Sequence, residues 1–202
     1  MRNGCAICGL INTLIKDKGC ILIMFTFYDE PKVIKKLLTH EDCDFLINHN
    51  NESLKKTSFS RSESDICDVK SLFKRISKHE DRIKSLTDRC VNLGNFTHGN
   101  LEDLVVMNYK QGGFILEHLD PTPDLPNIRT HTIIMYLNDN YTGGETHFKN
   151  INKTFKLEKG DALFFSSVNS DNKITNLSMH EGKPVKSGEK WICNLWIRKH
   201  PI

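Results

Sequence analysis

The stretch Thr130-His-Thr-Ile-Ile-Met-Tyr-Leu137 is rich in β-branched and aromatic residues and ends at the turn residues Asn138-Asp-Asn140. Such a run is typical of a buried β-strand. The part of the chain after Gly99 contains six further runs of this kind, separated by turns rich in Gly, Asn and Asp: Leu104–Tyr109, Phe114–Leu119, Glu145–Phe148, Thr154–Leu157, Ala162–Ser166 and Trp191–Ile197. Short strands in this cadence predict an antiparallel sandwich or barrel of the jelly-roll type.

The region between residues 31 and 93 has helical spacing instead. Thr39 can cap a helix over His40–His49, because its hydroxyl can accept a hydrogen bond from the first helical turn. A second helix is expected to begin near Asp68, where apolar residues recur at roughly helical spacing: Leu72, Phe73, Ile76, Ile83 and Leu86. The Ser- and Glu-rich segment Ser58–Asp65 is expected to form a loop.

Length and composition indicate a single globular unit. The chain has 202 residues, of which 38% are hydrophobic and 26% are charged, and a chain of this length can bury a core that folds without disulfide bonds. We therefore expect an α+β protein. Its jelly-roll domain occupies residues 101–202, a helical support region occupies residues 28–100, and residues 1–27 form an N-terminal extension.

Charge and cysteine content bear on partners and location. The 28 Lys and Arg residues nearly balance 25 Asp and Glu residues, so no nucleic-acid partner is predicted. Seven cysteines without regular spacing favour a reducing, cytoplasmic setting. The endoplasmic reticulum lumen is the alternative, because the apolar run Cys5–Ile15 after Arg2 could be a signal-peptide core. The second run, Cys20–Phe27, is far shorter than the ~18 residues of a spanning helix, so no membrane association is predicted.

The motif His118-Leu-Asp120 lies at the end of a predicted strand. Residues i and i+2 of a strand project from the same face, so the imidazole and the carboxylate point the same way. Two imidazoles and one carboxylate form the facial triad of non-haem iron oxygenases, and His180, just before the last predicted strand, is the candidate third ligand. Taken alone, the motif is equally compatible with a surface turn.

Lys190 opens the last apolar strand, where a cation needs either water or an anionic partner. Alternation places it on one face with Asn194, Trp196 and Arg198, opposite Trp191, Cys193, Leu195 and Ile197. A lysine on the surface would explain the sequence equally well, but beside a metal it could hold the remote carboxylate of a dicarboxylate co-substrate. The other histidines are expected to be structural or superficial, although His131 and His147 lie in strands that could face a cavity.

These residues belong to a longer pattern, which resembles the catalytic domain of prolyl 4-hydroxylases over about residues 101–201. The matching pieces are Tyr109-Lys-Gln-Gly112, His118-Leu-Asp120, Arg129 through Asn138, Gly143-Gly-Glu-Thr146, Lys159-Gly-Asp161, His180-Glu-Gly-Lys-Pro184 and Gly188-Glu-Lys190-Trp191. The segment from Val33 to Cys43 resembles the start of the family's helical support more loosely. The order and spacing of the pieces make the resemblance specific.

The resemblance implies an iron(II)- and 2-oxoglutarate-dependent dioxygenase with a double-stranded β-helix (cupin-like) fold. It implies that His118, Asp120 and His180 bind Fe²⁺, that Lys190, Thr146 and Tyr109 hold 2-oxoglutarate, and that Arg129 and Trp196 lie on the substrate side. It also implies O₂ as co-substrate, L-ascorbate as a supporting reductant, and oxidative decarboxylation of 2-oxoglutarate to succinate and CO₂. The substrate would be a prolyl residue of a protein or peptide, with a proline-rich segment as the natural partner.

Three departures from the family pattern concern the substrate rather than the metal. Ile115 stands where a tyrosine is common, Glu117 replaces a frequent proline, and Arg198 stands where a histidine is often found. A dioxygenase that hydroxylates another protein side chain is therefore one alternative. A nucleic-acid base is a weaker one, because related dealkylases usually hold the co-substrate with arginine and this chain has Lys190. A catalytically inert jelly-roll binding module is disfavoured by the complete set of triad and lysine.

Overall fold

The structure is a computed structural model. It describes residues 11–17, 20–49, 55–56, 59–60, 66–67, 71–121 and 126–202, with side chains in 27–49, 71–121 and 126–202. The strands are β1 Ile11–Asp17, β2 Cys20–Thr26, β3 Lys32–Ile34, β4 Lys55–Lys56, β5 Phe59–Ser60, β6 Ile66–Cys67, β7 Leu72–Ile76, β8 Leu104–Tyr109, β9 Ile115–His118, β10 Arg129–Tyr136, β11 Thr142–Gly143, β12 Thr146–Phe148, β13 Lys153–Phe155, β14 Ala162–Ser166, β15 His180–Gly182, β16 Val185–Ser187 and β17 Lys190–Arg198. The α-helices are α1 His40–Asn48 and α2 Lys84–Val91.

Two antiparallel sheets form the body of the protein. The major sheet has the strand order β3-β14-β10-β17-β8-β7-β4, and the minor sheet has the order β13-β12-β15-β9. The long strand β17 lies at the centre of the major sheet, where Ile133 of β10 pairs with Leu195 and Met107 of β8 pairs with Ile192. The two sheets form a jelly roll, as the sequence predicted, and all seven predicted strands are present with ends shifted by at most two residues.

Side-chain alternation gives the major sheet two different faces. The inner face, which carries Met107, Tyr136 and Trp196, packs with Phe148 and Phe155 of the minor sheet. The opposite, outer face packs with the two helices, and its buried members include Val106, Met135, Cys193, Leu195 and Ile197 of the sheet with Leu46 of α1 and Leu86 of α2. The helices therefore support the sheet from behind, and the inner face is left for the site.

Helix α1 confirms the prediction that Thr39 caps it. The Thr39 hydroxyl accepts a hydrogen bond from the Asp42 amide at 3.1 Å, and the Asp42 carboxylate accepts one from the Thr39 amide at 3.0 Å, which is a capping box. At the other end, Lys74 of β7 donates to the carbonyl oxygens of Ile47 and His49. A buried cation thus satisfies carbonyl groups that the helix itself leaves unpaired.

The prediction of a helix from about Asp68 is wrong over Leu72–Ile76, which forms strand β7 and pairs with β8. Lys74 and Ile76 are buried there while Arg75 is exposed, so the period is two. The buried position of Lys74 concealed this alternation, because lysine is rarely found inside a protein. Helix α2 begins only at Lys84, and Asp68 lies outside the described residues.

The region before α1 contributes strands as well. Strand β3 forms the edge of the major sheet beside β14, and β1 pairs with β2 within the expected N-terminal extension. The expected loop Ser58–Asp65 is wrong at Phe59–Ser60, which pairs with β6, and its other residues lie outside the described part of the chain. No helix in the described ranges is long and apolar enough to span a bilayer.

Candidate active site

The three predicted metal ligands meet at the end of the minor sheet. His118 closes β9 and His180 opens β15, and the two residues are direct partners in the antiparallel register. Their ring centroids are 4.4 Å apart, and Asp120 follows His118 by two residues. Ligand atoms of the three side chains lie within 4.8 Å of one another, the one such group of three among the described residues. Strand pairing therefore brings together residues that lie 62 positions apart in sequence.

Both imidazoles are oriented by the backbone. The Nδ1 atom of His118 lies 2.8 Å from the Leu116 carbonyl oxygen, and that of His180 lies 3.0 Å from the Ser178 carbonyl oxygen. Because a carbonyl oxygen only accepts, each Nδ1 carries the proton and each Nε2 presents a lone pair. A hydrogen bond from one ring nitrogen to a backbone carbonyl oxygen is typical of histidines that bind a metal through the other ring nitrogen.

Asp120 is held as a carboxylate. Burial alone would raise its pKa, but the electrostatic interactions with His180 and His118 and a hydrogen bond from Thr132 at 2.5 Å hold the pKa well below its usual range. Burial, helped by repulsion from His118, lowers the pKa of His180 to about 4. At neutral pH the site therefore presents an uncharged His180 and one carboxylate. With the Nε2 lone pair of His118, this donor set fits a divalent iron.

Lys190 lies in the interior next to this site. Its ammonium donates to the Gly144 carbonyl oxygen at 2.7 Å and lies 5.5 Å from the ring centres of both Tyr109 and Tyr136. Burial lowers the pKa of Lys190 to about 8, and no described carboxylate lies within ion-pairing distance of it. A buried cation without a counter-ion is costly for the protein by itself, so the site is suited to an anion that binds from outside.

The predicted co-substrate residues line one cavity with the histidines. Tyr109, Thr146 and Lys190 share it with His118 and His180. The Thr146 hydroxyl is buried and lies 2.9 Å from the Tyr136 hydroxyl. Burial raises the pKa of Tyr109 far above its usual range, so its phenol stays protonated and can donate a hydrogen bond. The cavity thus has metal ligands at one end and hydrogen-bond donors with a cation at the other.

The two predicted substrate residues lie beside the triad, and their roles stay predictions. The Arg129 guanidinium stacks 3.9 Å above the Trp196 ring and donates two hydrogen bonds to Glu102, at 2.7 and 2.8 Å. It also reaches the Asp120 carbonyl oxygen at 3.4 Å. Arg198 donates to the same Glu102 carboxylate at 2.6 Å. Arg129 is therefore largely occupied within the protein.

Several residues of the site were not identified from sequence. Glu102 binds both arginines, Thr132 binds Asp120, and Asn194 lines the cavity with a buried carboxamide oxygen that has no described partner. Alternation had placed Asn194 on the face of Lys190, which was the available signal. The expectation for His131 and His147 is confirmed, because His131 stacks on Phe164 and His147 bonds Thr154, away from the cavity.

Comparison with known proteins agrees with this geometry. A family model described as 2OG-Fe(II) oxygenase superfamily matches residues 104–198. A putative prolyl 4-hydroxylase of Acanthamoeba polyphaga mimivirus is 32% identical over 184 residues, 85% of this chain and 75% of that protein. Prolyl 4-hydroxylase 2 of Arabidopsis thaliana is 31% identical over 231 residues, 93% of this chain and 77% of that protein.

Solved structures show the same fold. The viral collagen prolyl hydroxylase of Paramecium Bursaria Chlorella virus-1, in complex with 2-oxoglutarate, superposes with a TM-score of 0.67 at 29% identity, covering 83% of this chain and 95% of that one. A prolyl-4-hydroxylase of Pseudomonas putida shares the fold at a TM-score of 0.61 and 16% identity, over 84% and 92% of the two chains. The chain belongs to the prolyl 4-hydroxylase family of the 2OG-Fe(II) oxygenase superfamily and is a 2-oxoglutarate-dependent dioxygenase.

Proposed function

We propose that the protein hydroxylates prolyl residues of a protein or peptide, with Fe²⁺ as cofactor, O₂ and 2-oxoglutarate as co-substrates and L-ascorbate as the supporting reductant. The observation that carries the dioxygenase chemistry is the buried Lys190, which has no ion pair among the described residues and lines the same cavity as His118 and His180. The proline assignment is supported by the relatives, which are named prolyl 4-hydroxylases or collagen prolyl hydroxylase.

In this mechanism His118, Asp120 and His180 would hold the iron, which supplies the chemistry that couples O₂ to decarboxylation of the co-substrate. The histidines contribute Nε2 lone pairs because their Nδ1 protons are fixed on backbone carbonyl oxygens. Thr132 keeps one oxygen of Asp120 in a hydrogen bond, which leaves the other oxygen free for the metal. The protein thus fixes three coordination positions and leaves the rest for reactants.

The remaining cavity residues position 2-oxoglutarate. Lys190 would bind its distal carboxylate through a charge-assisted hydrogen bond, and the Thr146 hydroxyl and the protonated Tyr109 phenol would donate the others. Ile134 and Ile192 form apolar walls of the same cavity. These walls exclude water, which strengthens every electrostatic contact inside. Succinate keeps the distal carboxylate, so the same three residues would hold it until release.

Hydroxylation of another protein side chain is the second candidate, and the departures Ile115 and Arg198 motivate it. Ile115 lines the cavity, so an apolar side chain stands there where the family commonly has a tyrosine. The Arg198 guanidinium adds a positive charge next to Glu102. Neither residue touches the ligand set, and the oxidation chemistry is therefore the same for both candidates.

The test is mass spectrometry of proline-containing peptides after incubation with the enzyme, Fe²⁺, ascorbate and 2-oxoglutarate. We expect a gain of about 16 Da on proline, one oxygen atom, in step with succinate release. A gain on another side chain would replace proline by the second candidate. If neither succinate release nor iron binding is detected over a wide panel of peptides, the inert binding module would be favoured. Lys190→Ala, which leaves the triad in place, is the matched control for co-substrate binding.

A further inference from the structure

A second cavity lies beside the active site. Its volume is about 270 Å³, and it is lined by Arg75, Lys78, Glu102, Asp103, Arg198 and Ile202. It shares no residue with the lining of the metal cavity, but Glu102 connects the two, since it binds Arg129 on one side and Arg198 on the other. Arg129 in turn touches the backbone of Asp120. A short chain of hydrogen bonds therefore links this cavity to the metal site.

The register of the major sheet places both cavities on the same face. Val105 of β8 belongs to the inner-face cluster and is the direct partner of Arg75 on one side and of Asn194 on the other. Arg75 and Asn194 therefore belong to one row across the sheet, and direct partners project to the same side. Arg198 follows Asn194 by four residues and keeps the inner-face parity.

The charges of this cavity favour an anion. Its side chains carry three positive charges and two negative ones, and Arg129 adds a further positive charge through Glu102. The Glu102 carboxylate is buried and already accepts bonds from two guanidinium groups. The Lys78 ammonium is occupied by the carbonyl oxygens of Leu101 and Ile202.

The available donors belong to the two arginines. Arg198 uses Nε for Glu102 and Nη1 for the Asn127 carbonyl oxygen, so its Nη2 group has no described partner. Arg75 is exposed and has no ion pair or hydrogen bond among the described side chains. A planar guanidinium in this state is suited to bind a carboxylate through two hydrogen bonds.

We propose that this cavity binds an acidic side chain, Asp or Glu, of the peptide substrate, a few residues away from the hydroxylated residue, with Arg75 and Arg198 as its anchors. The inference rests on the proposed function in that it assumes a peptide substrate. It goes beyond that function by stating which peptides are selected. Glu102 has a positioning role in this arrangement, because it fixes Arg198 at the cavity and Arg129 at the metal.

The test measures peptide binding separately from turnover. Fluorescent proline peptides carry Glu, Gln or Lys at each position in turn on both sides of the proline, and anisotropy is recorded under argon with iron(II) and 2-oxoglutarate bound. We expect Glu to tighten binding roughly fivefold over Gln at one or two adjacent positions, and less at high salt. Arg75→Gln should remove the difference, and Arg75→Glu should transfer the preference to Lys at the same positions.

Lys32→Gln is the matched control, because Lys32 is also an exposed cation but lies on β3, near the opposite edge of the major sheet. It should retain the full preference for Glu. Equal binding of all Glu and Gln peptides to the unmodified protein would overturn the inference, and so would a preference that survives in both Arg75 variants or a complete lack of peptide binding. Admission of air then tests hydroxylation: peptides that bind selectively but gain no oxygen on proline would contradict the proposed function alone.

Discussion

Replacement of Lys190 by methionine should make the protein more stable and abolish its response to 2-oxoglutarate. Burial lowers the pKa of Lys190 from its ordinary value of 10.5 to about 8. The difference between these two pKa values corresponds to about 3 kcal/mol of destabilisation at neutral pH. The variant also loses the bond from the ammonium to the Gly144 carbonyl oxygen, which costs about 1 kcal/mol. A net gain of about 2 kcal/mol remains.

For a chain of this size that gain raises the melting temperature by about 4–8 °C, which circular dichroism can follow in the absence of co-substrate. Co-substrate at about 100 times its dissociation constant should stabilise the unmodified protein by about 2.7 kcal/mol, and should leave Lys190→Met unchanged. Lys199→Met, at an exposed position, serves as the control and should stay within about 0.5 kcal/mol. A lower melting temperature for Lys190→Met, or a retained shift with 2-oxoglutarate, would refute the reasoning.

Three further results are expected. Asp120→Ala should reduce bound iron in metal analysis to background and stop succinate release, and retained iron would exclude Asp120 as a ligand. Without 2-oxoglutarate, the ammonium form of Lys190 becomes less populated above about pH 8. The affinity for 2-oxoglutarate, measured by calorimetry, should therefore be constant below that pH and fall about tenfold per pH unit above it. A constant affinity up to about pH 9.5 would contradict this expectation. Asp42→Asn should destabilise the protein by about 2 kcal/mol in urea at neutral pH, because it weakens the cap of α1 and the ion pairs to Arg82 and Arg89. Burial alone would raise the Asp42 pKa, but these contacts lower it, so the carboxylate contributes fully at neutral pH and its contribution declines as acid protonates it. An Asn variant whose deficit does not decline as the pH falls below the ordinary range of Asp would contradict the assignment.

The metal site could be predicted because its information is local. His118 and Asp120 are two residues apart in a strand, so their common face follows from the period of the strand alone. His180 was chosen because it lies just before the last predicted strand, although its own strand β15 has only three residues and no run of apolar residues marks it. The structure supplied the reason that the pair meets, namely direct antiparallel pairing of His180 with His118.

What could not be predicted depends on long-range contacts. Lys74 is buried because β7 pairs with β8 and the C-terminal carbonyl groups of α1 come close, and neither fact can be read from residues 72–76. Glu102 carries no motif, and its partners Arg129 and Arg198 lie 27 and 96 residues away. In both cases a charged side chain lies inside the protein, although charged residues are usually found at the surface.

The charged residues around the site form two groups with different expected roles. One group affects the reaction itself, and the other affects which peptide is bound. In the interior, Lys190 has no ion pair with a carboxylate of the described residues, and we expect a dicarboxylate to offset the cost of its burial, so changes there should decide whether the reaction takes place. At the second cavity, the Glu102 carboxylate accepts hydrogen bonds from Arg129 and Arg198 in the absence of any substrate. Arg198 can therefore differ from the family pattern without disturbing the ligands, because its side chain binds Glu102 and not a residue of the triad. Changes at this second cavity should alter which peptide is hydroxylated while the metal and 2-oxoglutarate still bind. The Arg75 variants test this expectation.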